Sequence, residues 1–201
     1  MEITPTRSAL LESRDERLVM REGYRFLDEK RLLLATEIIQ QFTRYREVSE
    51  RYQAQHHHTA TSLSNAVALH GLHDLQVTPV QEWTAARVVR QERLFFGVAL
   101  VDQGTLEPED PPTDASVARP FSSREKQTCQ QAHAQLLRLA TQLAALSGNL
   151  HRLLSEYQRT ERRARALEDV ILPELDAAIH EMEIRLEELD QEESVRVRLA
   201  R

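Results

Sequence analysis

The second half of the chain carries one apolar column that constrains the fold more than any other feature of the sequence. The column alternates steps of three and four residues through eleven positions: Leu136, Leu139, Leu143, Leu146, Leu150, Leu153, Tyr157, Thr160, Ala164, Leu167 and Ile171. This spacing places the side chains on one narrow stripe of an α-helix, which is the seam of a coiled coil. Another helix has to cover a stripe this long, so the column argues against one compact core.

The spacing changes around Pro173. It becomes four, four and four through the column members Leu167, Ile171, Leu175 and Ile179, and then threes and fours resume at Met182, Leu186 and Leu189. An extra step of four locally unwinds a coiled coil, and a proline bends a helix because it lacks an N–H and clashes with the preceding turn. The pattern favours a bend here, or else an interrupted helix end that packs on a neighbour.

A second heptad pattern occupies residues 10–52. One column reads Leu10, Arg17, Tyr24, Arg31, Ile38, Tyr45 and Tyr52, and the other reads Ser13, Met20, Leu27, Leu34, Gln41 and Val48. A flanking column of Leu11, Leu18, Leu32 and Ile39 widens the apolar stripe. The pattern predicts a long amphipathic helix, capped by Thr4 with Pro5 in its first turn. We expect it to continue to about Leu69 and to stop at Gly71.

The middle of the chain breaks both patterns, and five of the seven prolines fall between Pro79 and Pro120. Residues 85–89 and 94–101 are rich in Val, Leu and Phe and are separated by the polar RQER. This arrangement predicts a β-hairpin, with Gly97 as a bulge or a point of close approach. Residues 102–120 are acidic and proline-rich without periodicity, which indicates an exposed loop.

These patterns divide the chain into an N-terminal helix over residues 1–70, a middle region over 71–121 and a C-terminal helix over 122–201. The last opens on Ser122 and Glu125, a capping-box spacing. The fold class is therefore mainly α: a long antiparallel two-helix coiled coil with a small region containing a β-hairpin between its arms. Parallel dimerisation is the competing arrangement, and the heptads alone do not decide between the two.

Composition excludes several classes of function. The formal net charge is −6 with the charges mixed along the chain, whereas nucleic-acid binding needs a concentrated basic face. The longest apolar run, residues 94–101, is far shorter than the about 20 residues of a membrane span. The N-terminal residues lack a basic stretch followed by an apolar core, so we expect a cytoplasmic chain with no direct membrane insertion.

The search for catalytic residues is mostly negative. The chain contains none of the usual nucleotide, hydrolase or zinc signatures, and its two lysines, Lys30 and Lys126, both follow a glutamate. The run His56, His57 and His58 cannot face one metal ion from a helix, because consecutive residues point about 100° apart. Cys129 has Lys126 and His133 at helical spacing, but no other nucleophile machinery. We expect no catalytic residue, cofactor or metal.

Two terminal motifs resemble a known family. The first reads Pro5-Thr6-Arg7, Leu10-Leu11, Gly23, Leu27 and Lys30-Arg31; the second reads Arg162-Arg163-Ala164, Ala166-Leu167-Glu168, Ile171-Leu172-Pro173, Leu175 and Ile179, with Leu186-Glu187-Glu188 and Glu192-Glu193 after it. Their order and spacing are similar to those of the D subunit of the V-type and A-type rotary ATPases. The match covers about the first 35 and the last 45 residues.

The resemblance implies a central rotor shaft without chemistry of its own. Such a shaft would stand once in each complex, inside a ring of A and B subunits, and would meet the small F subunit and the socket subunit of the membrane rotor. Ion flow across the membrane would turn it and so drive ATP synthesis or hydrolysis. The partner-interface candidates are the matched positions Pro5, Thr6, Arg7, Leu10, Leu11, Gly23, Leu27, Lys30, Arg31, Arg162, Arg163, Leu167, Glu168, Ile171, Pro173, Leu175 and Ile179. A coiled-coil tether that joins two proteins without rotation is the alternative function.

The charges depart from the family pattern. Glu22 precedes Gly23 and Tyr24 follows it, where the family usually has a basic stretch with a histidine. Acidic residues also stand where lysine or arginine is common, and an arginine replaces the usual asparagine: Asp15, Glu16, Asp28 and Arg165. We therefore expect the fold of the family, with partner surfaces that have changed to match.

Overall fold

The structure, a computed structural model, describes residues 6–77, 86–108 and 123–199. In chain order it consists of helix α1 (Arg7–Val77), strands β1 (Ala86–Phe95) and β2 (Val98–Pro108), helix α2 (Arg124–Ala166), a π-helical turn (Leu167–Ile171) and helix α3 (Leu172–Leu199). The predicted fold class is confirmed: a long N-terminal helix and a long C-terminal helical segment flank a small β-hairpin.

Helix α1 begins with a side-chain cap and continues past its predicted end. The Thr6 hydroxyl accepts a hydrogen bond of 3.1 Å from the Ala9 N–H. The predicted cap and first-turn proline, Thr4 and Pro5, lie outside the described residues. Gly71 leaves helical geometry, with φ 76° and ψ 156°, but the helix resumes and ends at Val77. The predicted stop at Gly71 is thus confirmed as a break in the helical geometry, and a further helical segment follows the kink to Val77.

Helix α2 is capped by Ser123, whose hydroxyl accepts a hydrogen bond of 3.3 Å from the Lys126 N–H. The predicted cap, Ser122, lies outside the described residues. Ser123, the next residue, therefore satisfies one of the free N–H groups that every helix N-terminus exposes.

The irregular spacing around Pro173 coincides with a change in helix type. In the π-helical turn the Leu172 N–H donates to the carbonyl of Leu167, five residues earlier. A proline at position 173 has no N–H, and its ring would collide with the carbonyl of Asp169 in a regular α-helix. The wider turn accommodates one extra residue and so absorbs both the proline and the change in heptad spacing. The bend itself stays a prediction.

The predicted seam is the covered face of the C-terminal helices. Every position of the column from Leu136 to Ile171 is buried or half-buried, and Leu153, Thr160 and Ala164 are at most 2% exposed. After the proline the buried column resumes at Ile179 and Met182. Leu189 is 49% exposed, so the covered part of the seam ends before it.

The columns of α1 behave differently from one another. Both main columns are buried or half-buried, including Arg17, Arg31 and Gln41. The flanking column is exposed, with Leu11, Leu18, Leu32 and Ile39 between 59% and 66% accessible. The flanking column widens the apolar stripe of α1, but the neighbouring helix does not cover it. One partner helix covers a narrow seam, whereas a wider stripe needs neighbours on more than one side.

The chain forms two compact units, one of residues 1–35 with 155–201 and the other of residues 36–154. In the second unit α1 and α2 run antiparallel: Gln55 donates to the carbonyl of Ala132, while Asp74, further along α1, meets Lys126, nearer the start of α2. Sequence alone left parallel and antiparallel pairing open, and these contacts within one chain show the antiparallel arrangement. The predicted three-segment division stays a prediction.

The hairpin forms where it was predicted, but its turn does not. The strands are joined by Phe96 and Gly97, with φ values of 48° and 86°. Positive φ at both central residues is typical of the two-residue turns that match strand twist. The RQER segment lies inside β1 rather than between the strands, and β2 runs on to Pro108 through the start of the predicted loop. Residues 109–120 of that loop lie outside the described residues.

The register of the ladder shifts once. Gln91 pairs with Gln103 while Glu92 pairs with Val101, so Asp102 is an extra residue on β2. A two-stranded hairpin is marginal alone, and this one buries Val98, Leu100 and Val101 in the second unit. Gly104 lies so close to α2 that an added Cβ would stand 3.2 Å from the Thr141 Cγ2 atom. The hairpin is therefore supported by packing against α2.

Candidate partner-binding surface

A ladder of ion pairs connects the two chain segments of the first unit. The nitrogen–oxygen distances are 2.9 Å for Arg7–Asp190, 2.7 Å for Arg14–Glu183, 3.0 Å for Arg17–Asp176 and 2.6 Å for Lys30–Glu156. The partner number falls as the α1 number rises, so the segments are antiparallel here as well. Exposed pairs contribute little stability, about 0–1 kcal/mol each. Their value is in specifying how the two segments align.

Lys30–Glu156 is the most sheltered pair of this ladder. Its side chains are 16% and 23% exposed, whereas the Arg7 and Asp190 side chains are 78% and 58% exposed. Lys30 belongs to the N-terminal motif, and its ammonium is directed into the pair. Lys30 therefore joins the two helical segments of the unit and is not an isolated surface charge.

Another face of α1 in this unit combines apolar and charged side chains. Its positions lie at steps of three and four residues and are all exposed: Leu11, Asp15, Leu18, Glu22, Arg25, Glu29 and Leu32. We refer to these seven residues as the mixed stripe. The leucines are 59–60% accessible, which is more than a two-helix seam leaves open. A surface that combines leucines with carboxylates outside the covered seam suits a partner contact, since it offers apolar area together with charge.

The structure separates the sequence-predicted interface residues into three groups. Exposed ones are Thr6, Arg7, Leu11, Arg162, Arg163, Glu168 and Pro173; half-buried ones are Leu10, Gly23, Leu27, Lys30, Arg31, Leu167, Ile171 and Leu175. Ile179 is 3% exposed and lies in the interior of the unit. Pro5 lies outside the described residues. The half-buried and buried members shape the helix pair, and the exposed members supply candidate contact area.

Sequence reasoning missed three large apolar side chains beside the mixed stripe. Val19, Phe26 and Leu33 are 62%, 58% and 44% exposed. They repeat every seven residues, so the signal was present in the sequence. It was overlooked because exposed heptad columns and covered ones have the same spacing.

Tyr24 and Glu168 join the two terminal motifs. The Glu168 carboxylate accepts a hydrogen bond from the Tyr24 hydroxyl, and this bond raises the pKa of the phenol above its ordinary value of 10.0. Burial and the negative charge of Glu168 act in the same direction. The tyrosine that departs from the family pattern therefore has a defined contact in this chain.

This contact predicts a loss of stability at high pH. The bond favours the protonated phenol in the folded state, so its contribution is complete below about pH 10 and disappears as the pH rises through the raised folded-state pKa. We expect the difference in Tm between the wild type and Tyr24→Phe to shrink as the pH rises above about 10. Thermal unfolding followed by circular dichroism measures it, with Tyr157→Phe as the control. A gap that stays constant over this range would refute the assignment.

The side chains that the sequence offered for chemistry either have structural partners or lie exposed on α1. Cys129 is 7% exposed, and its sulfur lies 3.6 Å from the Nδ1 atom of His133. The ammonium of Lys126 is 2.7 Å from Asp74 instead, and this hydrogen bond lowers the pKa of the Asp74 carboxyl. His56, His57 and His58 are all exposed on α1. Within residues 6–77, 86–108 and 123–199, no three His, Cys, Asp or Glu side chains are placed to hold a metal ion.

None of the helices described in the structure combines the length and apolarity that crossing a membrane requires.

Comparison with known proteins gives a consistent family. The family model for the ATP synthase D subunit matches residues 9–201. The D subunit of the V-type ATP synthase of Anaeromyxobacter sp. (strain K) is 30% identical, with 96% of this chain and 92% of the relative covered. The corresponding V-type protein of Thermotoga neapolitana is 23% identical, and the A-type ATP synthase D subunit of Methanococcoides burtonii is 22% identical; both comparisons cover 98% of this chain and 96% of the relative. The chain belongs to the family of ATP synthase D subunits.

Proposed function

We propose that the chain is the central rotor shaft of a V/A-type ATP synthase. The observation that carries this proposal is the family match over residues 9–201, which spans both helical segments and the hairpin. In this role the chain has no catalytic residues and binds no cofactor. It transmits rotation between ion translocation in the membrane sector and nucleotide chemistry in a ring of A and B subunits.

The first unit has the properties that a ring-facing part requires. Its antiparallel segments are joined by ion pairs and a covered seam, so torque on one segment is shared by the other. The mixed stripe exposes leucines separated by carboxylates, and contacts of this kind can form and break as the shaft turns. The A and B subunits are therefore assigned to this unit, together with the exposed interface candidates Arg7, Leu11, Arg162 and Arg163.

The remaining partners follow from the same assignment. The small F subunit and the socket subunit of the membrane rotor would contact the second unit, which carries the hairpin. One copy of the chain would stand in each complex, on the cytoplasmic face of the membrane and attached to it only through other subunits. The coupling ion would be a proton or a sodium ion, and its selection belongs to the membrane rotor.

Co-expression with the A, B and F subunits of the same organism tests the assembly. We expect native mass spectrometry to show one copy of this chain bound to a ring of alternating A and B subunits. A stable homodimer that ignores these subunits would contradict the proposal and favour a tether.

A charge reversal on the mixed stripe tests where the ring binds. Replacing Glu22 and Glu29 with arginine keeps the helix but reverses two exposed charges beside the leucines. A ring surface that complements Glu22 and Glu29 would carry cationic groups, and the two arginines would face them as like charges. We therefore expect the affinity for the A and B ring to fall at least about tenfold at low salt. The matched control is Glu47→Arg with Glu50→Arg, two exposed glutamates of α1 in the second unit. An equal loss in both variants would show that net charge, rather than the stripe, governs binding.

A further inference from the structure

The leucine seam of α2 does not by itself define how far α2 is displaced along α1. In the second unit six successive seam positions are leucines, repeating every seven residues as Leu136, Leu143 and Leu150 and as Leu139, Leu146 and Leu153. A slide of one heptad in either direction therefore returns a leucine to four of these six positions. Uniform apolar seams specify alignment poorly, and buried polar residues commonly fix it instead.

The hairpin contacts both helices through polar groups. Arg93 on β1 donates from Nη2 to the Glu37 Oε1 atom of α1 at 2.6 Å. Asn149 of α2 bonds both backbone groups of Val101 on β2: the Val101 N–H donates to Oδ1 and the Val101 carbonyl accepts from Nδ2, each at 2.8 Å. The amide of Asn149 thus satisfies the outer edge of β2 much as a neighbouring strand would.

These two attachment points lie on paired strands of one hairpin. Arg93 pairs with Leu100 and Glu92 pairs with Val101, so the anchors are cross-strand neighbours. Asp102, the bulged residue of β2, accepts a second hydrogen bond from Arg93 at the Nε atom, 2.6 Å long. A bulge redirects a side chain, and here it places a carboxylate against the arginine. The guanidinium of Arg93 therefore contacts both β2, through Asp102, and α1, through Glu37.

A slide between the helices would break at least one attachment. Seven residues of α-helix correspond to about 10 Å along the axis, roughly twice the distance between neighbouring strands. The hairpin cannot stretch by that amount without losing its ladder. Contacts with Glu37 and Asn149 are therefore compatible with only one alignment of α1 and α2.

The polar side chains at these attachment points are buried, which also favours a role in aligning α1 and α2. Glu37, Gln41 and Asn149 are 8%, 2% and 1% exposed. Gln41 donates from Nε2 to the Glu37 Oε1 atom at 2.8 Å, while its own Oε1 atom is buried without a hydrogen-bond partner among the described residues. Apolar residues at these positions would pack the seam without that desolvation cost, and buried polar groups of this kind can instead specify one alignment.

We propose that the hairpin is a register brace: it ties α1 at Glu37 to α2 at Asn149 and so selects one axial alignment of the helices in the second unit. Arg93 and Asn149 are the positioning residues, and Asp102 holds Arg93 in place. The proposal rests on contacts within the second unit and does not depend on the rotor function.

Distance measurement on the full-length chain tests the brace. Spin labels are attached to cysteines at two exposed positions, Glu47 on α1 and Gln142 on α2, after Cys129→Ala. The brace variant carries Glu37→Met, Arg93→Met and Asn149→Leu, which removes both attachments without stranding the buried carboxylate. The control variant changes three exposed residues of the same types: Glu50→Met, Arg90→Met and Asn65→Leu.

The expected result is one distance population for the braced chain and for the control. The brace variant should show an additional population, corresponding to an axial displacement of about 10 Å, with unchanged helicity by circular dichroism. A single unchanged distance in the brace variant would overturn the proposal. Loss of helicity in that variant alone would also overturn it, because the cluster would then be part of the folding core rather than a selector of alignment.

Discussion

Replacing Leu153 with alanine is expected to lower the free energy of unfolding by about 2–5 kcal/mol. The Leu153 side chain is fully buried, at 0% exposure, in the seam of α2. Alanine removes apolar contacts and leaves a cavity that two long helices cannot close without shifting their backbones. Urea unfolding followed by circular dichroism measures the effect at constant m-value.

The neighbouring Leu154 provides a matched control, since it has the same chemistry and 47% exposure. We expect Leu154→Ala to change stability by no more than about 0.5 kcal/mol. Equal losses in the two variants would mean that the seam does not lie where the structure places it.

Replacing Gly97 with valine is expected to destabilise the hairpin by at least about 1–2 kcal/mol. Gly97 has a φ of 86°, a conformation that a β-branched residue adopts only under strain. Since the hairpin buries Leu100 and Val101 in the second unit, its loss should expose both. Hydrogen exchange of the β2 amides measures this directly, while the helical signal should remain largely intact.

A substitution at Gly23 serves as a control, because its expected effect on stability has the opposite sign. It lies within helix α1, and an added Cβ would meet nothing within 4 Å. Gly23→Ala is therefore expected to raise stability by about 0.5–1 kcal/mol. If Gly97→Val left β2 protected, the positive-φ turn would not be what holds the strands in register.

The heptad columns predicted the covered faces of the helices because burial in a two-helix pair follows directly from periodicity. The hairpin turn was misplaced because RQER is polar, whereas Phe96-Gly97 lacks the Asn or Asp that usually marks a tight turn. The exposure of the flanking leucines could not be predicted, because apolar character does not reveal how many neighbours a helix has.

Pairings between distant residues required the structure. Nothing in the sequence connects Arg93 with Glu37 or Tyr24 with Glu168, because each pair depends on the alignment of elements far apart in the chain. The unequal spacing near Pro173 did predict a local change. Its form as a π-helical turn was not predictable, since a stutter, a bend and a π-turn all satisfy the same spacing.

Single-molecule rotation of the assembled complex tests the central claim most directly. A bead is attached through Glu47→Cys in the Cys129→Ala background, and the A and B ring is fixed to the surface. We predict continuous rotation of this chain in one direction while ATP is hydrolysed, ceasing when ATP is withdrawn. A bound chain that stays stationary while the ring hydrolyses ATP would contradict the rotor account and identify the chain as a static tether.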